Sequence, residues 1–456
     1  MKRLFLSYLC LVGLSASAAK PNMILVLIDD MGWAGTSVQI DPNIPESKGS
    51  IYKTPNLEKL AKSGMRFTNA YAPGPMCTPS RVGILTGKTP AAVHITAPGS
   101  GRTQDYQMLT SGSMDGSLTT QIDTIAKSLK SAGYATAHFG KWHIGRTGPG
   151  EYGYDTHDGN TGNEVPDSSP ENPKDIFGMT KRAFDFMEAQ IESGSPFYLQ
   201  LSHYAVHTPV EAREGSQALF DSVPSRGKVD AGGIAAMTYN IDESIGMLRA
   251  KIEALGIAEN TYLVVMSDNG GSGGGPRRSH ATALNGGKGS LYEGGIRIPF
   301  FAEGPNIEAG SINRESIMGC DLFPTFCEWA GVKIPDGLEG VSLASLLSGS
   351  DQPLVERSLL FHYPHYGQGA RQKPQSALIH GDYKILYNWE SQSAELFNLS
   401  NDPGEQNDLS GSESKRAAEL LAQLHQRLNE IEASLPRPNP NYDPNAEVPS
   451  RRMRKR

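Results

Sequence analysis

Four short apolar runs in this chain each stop at residues that can do chemistry, and this pattern constrains the fold more than any other feature. The run 23–28 (MILVLI) ends at Asp29-Asp30, and the run 261–266 (TYLVVM) ends at Ser267-Asp268-Asn269. The run 197–201 ends at Ser202-His203, with His207 just beyond, and 134–139 ends at Gly140-Lys141-Trp142-His143. Unbroken apolar runs of this length suit strands buried on both faces. Helical patterns lie between them. Ile122, Ile125, Ala126 and Leu129 share one helix face closed by Gly133, and 234–255 is a longer amphipathic stretch closed by Gly256. Strands alternating with helices predict an α/β domain with a mostly parallel central sheet flanked by helices. Sites in such sheets form outside the carboxyl ends of the strands. The Asp, Asn, Lys and His residues are therefore expected to converge on one edge.

The pattern changes near residue 350. Beyond it come short strand-like runs, 358–362, 376–380, 383–387 and 395–399, and then a polar helix over 413–433. These predict a small C-terminal subdomain of antiparallel sheet plus helix over 351–435, after a catalytic domain over 19–350. The end, 436–456, is Pro-rich and then basic, and is expected to be a mobile tail. At the start, Lys2 and Arg3 precede an apolar stretch 4–14 and the small-x-small site Ala16-Ser17-Ala18. This reads as an export signal over 1–18, and places the mature protein in the periplasm or outside the cell. No later segment reads as a transmembrane span. Net charge is −7, so no global basic field draws in nucleic acid. Cys320 and Cys327 flank a helix start; two turns would separate their Cα atoms by about 10 Å, too far for a disulfide.

The sharpest local signal is Cys77-Thr78-Pro79-Ser80-Arg81. Pro79 suits the first turn of a helix that runs to Gly87. Cys77 then sits at the helix N-terminus, where backbone N–H groups favour an anion. Arg81, four residues on, shares its face. Asp29, Asp30, Asp268 and Asn269 form an oxygen-donor set suited to a hard cation such as Ca²⁺ or Mg²⁺. Lys141, His143, His207 and Lys288 add the cations and proton carriers that hydrolysis of an anionic ester needs. Lys288 lies in Gly286-Gly287-Lys288-Gly289, a turn that permits close approach.

These residues resemble the type I sulfatases, whose signature is C-x-P-S-R. The resemblance extends over almost the whole chain past the signal. It includes LVLIDDMGW, TGK, GYATAHFGKWHIG, HYAVHTP, SDNGG, GGKGSLYEGGIRIP and ELFNLSNDPGEQNDL, in that order. It implies an alkaline-phosphatase-like fold and a sulfuric ester hydrolase. It also implies that Cys77 is oxidised to formylglycine by a separate maturation enzyme. Asp29, Asp30, Asp268, Asn269 and the modified Cys77 would hold one divalent cation, usually Ca²⁺ in this family, with Mg²⁺ the alternative. The hydrated aldehyde would attack sulfur with one hydroxyl and expel sulfate with the other. Arg81 and Lys141 would stabilise diol and sulfate, His143 would act as base, and His207 with Lys288 would assist the departing alcohol.

For the substrate, the stretch Phe361-His362-Tyr363-Pro364-His365-Tyr366-Gly367 is the motivating feature. Aromatic rings can cover sugar faces, and His362, His365 and Arg371 can bond hydroxyls or sulfate; the alternative is that His362 and His365 are structural and hold the subdomain against the sheet edge. A similar segment occurs in sulfatases acting on galactose- or N-acetylgalactosamine-type sugars. The expected substrate is thus a terminal sulfated sugar of a glycan, with His94 and Arg102 lining the same pocket. Two alternatives stay open at this level. One is a phosphate- or phosphonate-ester hydrolase of the same superfamily, and the other a non-catalytic sulfoglycan-binding protein.

Overall fold

The structure, a computed structural model, describes residues 20–99, 103–225, 230–272, 284–350, 354–367 and 372–448. Residues 1–18, expected to be an export signal, Arg102, Arg371 and the basic cluster 451–456 lie outside the described residues.

An eight-stranded sheet forms the centre. Its order is Ser311–Asn313, Met65–Phe67, Phe300–Glu303, Thr261–Ser267, Asn22–Ile28, Phe197–Ser202, Ala135–Gly140, Thr156–His157. The four runs singled out in the sequence are the four adjacent middle strands, all mutually parallel. Among the described residues of this sheet, antiparallel pairs occur only at Phe300–Glu303, which joins Thr261–Ser267 to Met65–Phe67. The Asn22–Ile28 strand is buried along its whole length. Met23, Leu25 and Leu27 enter one core cluster while Ile24, Val26 and Ile28 enter another. Both sheet faces are thus covered, which is why the run is apolar without alternation.

Helix boundaries follow capping chemistry. The helix expected from Ile122 starts at Ile125, because the Thr124 hydroxyl accepts from the Lys127 N–H at 3.2 Å. The long helix spans Ala231–Ala254, with the Asp230 carboxylate accepting from Gly233 N–H at 2.9 Å. Cys320 and Cys327 are buried free thiols. No helix among the described residues is long and apolar enough to cross a membrane.

The C-terminal sheet is an antiparallel meander of Ser358–Tyr363, Gln375–His380, Tyr383–Asn388 and Ser393–Asn398. One face, with Phe361, Tyr363, Ala377, Ile379 and Leu386, packs on Tyr71, Leu291 and Ile296 of the catalytic domain. The other carries Leu360, Leu378, Ile385 and Leu396 and covers Leu420, Leu424 and Leu428 of helix Ser414–Glu430. The expected tail needs a correction. Arg437–Pro438 pairs antiparallel with Leu109–Thr110, and Asn439 Nδ2 donates to the Gln104 and Gln107 carbonyls at 3.1 and 2.8 Å. Residues just past 436 therefore dock on the catalytic domain, because these backbone and amide bonds fix them there.

Candidate active site

Helix Cys77–Thr86 begins at the cysteine itself and is buried throughout. Met76 is extended, and Gly87 closes the helix at φ 65°. The thiol lies 3.2 Å from Asp29 Oδ1 and 3.9 Å from Asp30 Oδ1. Asp29, Asp30, Cys77 and Asp268 each bring a ligand atom, and these atoms all lie within 4.8 Å of one another. The three carboxylates reach this point because the Asn22–Ile28 and Thr261–Ser267 strands are in register and end together. Asp30 adopts the left-handed conformation, φ 63°, at the end of its strand. Asn269 Nδ2 donates to Asp30 Oδ1 at 2.8 Å, while its Oδ1 is buried without a hydrogen-bond partner among the described residues.

That orphaned oxygen tests the fit of a cation. A buried acceptor with no donor is costly, and beside three buried carboxylates it is the donor set a hard divalent cation takes. Electrostatics agree. The Asp268 carboxyl is pushed up to about 7, first by burial and then by the Asp29 charge, against the pull of Arg81 and Lys141. Burial also raises Asp29, but Lys141, Arg81 and Lys288 outweigh it and hold this carboxyl far below the usual range. Asp29, Asp30, Asp268 and Asn269 fit the group that the sequence implies.

Cations ring the thiol. Arg81 Nε and Nη2 reach Asp268 Oδ2 at 3.0 and 2.8 Å, and Nη1 donates to the Lys141 carbonyl. Lys141 is fully buried and ion-paired with Asp29. Lys288 Nζ lies 3.2 Å from Cys77 Sγ and 2.5 Å from Asp30 Oδ1. Burial, then the Asp29 and Asp268 charges, push the Cys77 thiol well above its ordinary range, so an unmodified thiol here stays protonated and a poor nucleophile.

Two histidines border this cluster. The His143 carbonyl accepts from the Thr78 hydroxyl at 2.8 Å, which ties it to the Cys77 helix. Its Nδ1 is buried with no partner among the described residues, and burial, then Lys141 and Arg81, lower its pKa to about 3. It is therefore neutral at physiological pH, with Nδ1 free of any bond within the described residues. His207 Nδ1 is 2.7 Å from the Thr208 carbonyl. A carbonyl only accepts, so Nδ1 carries hydrogen and Nε2 is the nitrogen left for chemistry. Burial lowers the His207 pKa, with Asp29 and Lys288 acting in opposite directions.

The sugar-reading expectation for His362 and His365 is not supported by their surroundings. His362 bonds Ser376 Oγ at 2.6 Å and the Ser434 carbonyl at 3.1 Å. His365 bonds Thr96 Oγ1 at 2.7 Å and Ser111 Oγ at 2.9 Å. Both rings are buried and both nitrogens of each are engaged within the protein. They tie the C-terminal sheet to its neighbours and have no nitrogen to offer a sugar. His94 sits at φ 53° in a turn two residues before Thr96, and no hydrogen bond or ion pair joins it to the Cys77 cluster among the described residues. The sequence reading also missed Ser272, whose hydroxyl donates to Asp30 Oδ2 at 2.5 Å. A lone serine carries no pattern that would have revealed it.

A stability prediction follows from the two histidines. Burial first lowers His362 to about 4 and His365 to about 3, with the His362 charge adding to the second. Folded-state values lie below the unfolded 6.5, so the unfolded chain binds more protons in acid. This stabilisation is complete above pH 6.5 and is lost progressively as pH falls toward those values, by up to roughly 1.4 kcal/mol per pH unit for each ring. The melting temperature should fall between pH 6.5 and 4, and less steeply in His365→Gln. His362→Ala and His365→Ala should each cost about 1–3 kcal/mol by orphaning buried hydroxyls. Catalytic losses should be equal on a sulfated glycan and a small aryl sulfate. A loss confined to the glycan would restore the sugar-binding role.

Comparison with known proteins supplies the family. A model of the Sulfatase family matches residues 21–332, and a model described as N-sulphoglucosamine sulphohydrolase, C-terminal, matches residues 287–434. A "Sulfatase" of Formosa agariphila is 29% identical over 90% of this chain and 88% of its own length. The N-acetylgalactosamine-6-sulfatase of Rattus norvegicus is 29% identical over 87% of this chain and 77% of its own. The crystal structure of Ps i-CgsB in complex with k-i-k-neocarrahexaose superposes with a TM-score of 0.75 at 25% identity, covering 90% of this chain and 93% of that one. With a carboxylate cluster at the strand ends and Cys77 opening a buried helix beside it, the chain belongs to the sulfatase family, as a sulfuric ester hydrolase of alkaline-phosphatase-like fold.

Proposed function

We propose that this sulfatase removes sulfate from a terminal sugar of galactose or N-acetylgalactosamine type, through a formylglycine made from Cys77. The observation that carries the reading is the Cys77 position itself, with a helix N-terminus behind it, Lys288 3.2 Å away and three carboxylates around it. Formylglycine, when made and hydrated, supplies one hydroxyl to take the sulfuryl group and a second to expel it. A divalent cation, Ca²⁺ in our reading, supplies positive charge for the sulfate oxygens. Asp29, Asp30, Asp268, Asn269 and residue 77 would hold it.

The chain's own side chains do the rest. Arg81 is fixed by Asp268 and the Lys141 carbonyl, so its charge is pre-organised where sulfate oxygens must sit. Lys141 and Lys288 add two more fixed charges. His143, neutral and tied to the Cys77 helix through Thr78, accepts a proton when sulfate leaves. His207 Nε2 faces the departing alcohol with its ring oriented by the Thr208 carbonyl, and it serves as the acid only in the imidazolium form, carrying a proton on Nε2 as well as the Nδ1–H held by that carbonyl.

The sugar assignment is supported by the relatives named N-acetylgalactosamine-6-sulfatase. His94, Arg102 and Arg371 are its proposed contacts; His362 and His365 are not. The export reading rests on residues 1–18 and agrees with a route to extracellular glycans.

A panel of defined sulfated sugars, scored by desulfated product, tests the assignment. Turnover of galactose- or N-acetylgalactosamine sulfates at least about tenfold above glucosamine sulfates is expected. The reverse order overturns the sugar, and a preference for aryl phosphate over aryl sulfate overturns the ester class. Intact mass should show residue 77 lighter than cysteine by about 18 Da, whereas oxidation of the thiol adds mass.

A further inference from the structure

Lys288 presents a mechanical problem. Its segment, Gly286-Gly287-Lys288-Gly289, has Gly286 at φ 73° and Gly289 at φ 86°. Such a turn has little stiffness of its own. A lysine chain is also long and mobile. Yet Nζ is placed on both Cys77 Sγ and Asp30. Something outside the segment has to fix it.

The C-terminal sheet does so at successive points. Gln372, just before the strand Gln375–His380, donates its Nε2–H to the Lys288 carbonyl at 2.6 Å. It packs so closely that a Cβ on Gly289 would lie 2.6 Å from Gln372 Oε1. The Gln372 carbonyl in turn accepts from Gly367 N–H at 2.9 Å. Further along, Tyr292 donates to Glu395 at 2.7 Å, and the Glu293 N–H donates to Glu405 Oε2 at 2.8 Å. Lys384 bridges Glu293 and Glu405 at 3.0 and 2.8 Å, with all three side chains fully buried. The catalytic domain holds the other side, through Lys288 N–H to the Gly271 carbonyl and Gly289 N–H to the Pro75 carbonyl, and Ser290 bonds back to Gly287.

We propose that the C-terminal sheet positions Lys288 against residue 77, with Gln372 as the positioning residue and the buried Lys384 bridge as its anchor. This rests on the reading of Lys288 as part of the catalytic machinery. Gln372 acts on the reaction only through Lys288. The subdomain is thus part of the active site's framework, since it holds the Lys288 segment from the side opposite the catalytic domain's bonds.

The test compares Gln372→Glu, Lys288→Ala and their double variant, each as the metal-loaded full chain. Gln372→Glu keeps shape and loses the donated hydrogen. Two readouts are used: kcat/KM on 4-nitrophenyl sulfate, and the dissociation constant for inorganic sulfate by titration calorimetry, which needs no turnover. Gln372→Glu should lower kcat/KM about tenfold, mostly in kcat, and weaken sulfate binding, because a shift of about 1 Å in a catalytic group is enough for such losses. Melting temperature should stay within about 3 °C of wild type, as expected when a single partly exposed contact is changed. The double variant should match Lys288→Ala within about twofold, because two residues acting through one group do not add. Multiplying effects in both readouts would overturn the proposal, as would an unchanged Gln372→Glu beside an impaired Lys288→Ala. If Lys288→Ala itself behaves as wild type, the role of Lys288 is wrong, a failure distinct from that of the clamp.

Discussion

Cys77→Ser should fold as the wild type does and lose at least about 10³-fold in turnover. Serine fits where cysteine sits, since the position is the first of a buried helix and makes no disulfide. The hydroxyl would still face Asp29 and Lys288, so fold and cation binding should survive. Chemistry would not. A serine alkoxide could take the sulfuryl group once, but it has no second hydroxyl to eliminate sulfate. The expected signature is therefore a stoichiometric sulfated adduct on residue 77 with no further product, visible by intact mass. Near-normal steady-state turnover in the purified variant would rule out the proposed formylglycine route. The thiol itself is no substitute, because burial and the Asp29 and Asp268 charges keep it protonated.

The parts of this site that the sequence made legible are those tied to buried strands. A strand covered on both faces reads as an uninterrupted apolar run, so its end is visible, and the polar residues there are visible with it. Asp29, Lys141, Ser202 and Asp268 could be placed on one edge for that reason. The Cys77 helix was legible because Pro79 and Gly87 mark its two ends. Ile122 misled because its apolar spacing continues past a cap, and the Thr124 hydroxyl decides where the helix starts. His362 and His365 misled for a different reason. Nothing local to the segment with Pro364 and Gly367 shows its partners, because Ser111, Thr96 and Ser434 close over it from distant parts of the chain. Gln372 and Ser272 carry no local pattern at all. Their partners Lys288 and Asp30 are 84 and 242 residues away, and only the assembled fold brings them together.

Asp268→Ala should lose bound cation and activity together. Asp268 is fully buried, and its two oxygens have different tasks. Oδ1 accepts from the Asp30 backbone N–H at 3.2 Å, which helps hold the left-handed turn that aims Asp30 into the site. Oδ2 takes both Arg81 contacts. Removing the carboxylate takes away one proposed ligand, loosens a second and leaves Arg81 buried beside a missing partner. A buried charge stripped of its partner costs about 3–5 kcal/mol. The variant should therefore melt well below the wild type. Chelation separates this packing effect from the metal. A ligand present at about 100 times its dissociation constant stabilises the folded state by about 2.7 kcal/mol. A chelator should then lower the wild-type melting temperature and leave Asp268→Ala unmoved. Asp268→Asn refines the test, because the amide keeps an acceptor for the Asp30 N–H while losing the charge. It should retain more stability than the alanine variant yet bind the cation as poorly. Undiminished cation content in either variant, measured by elemental analysis, would remove Asp268 from the ligand set and leave it as the anchor of Arg81 alone.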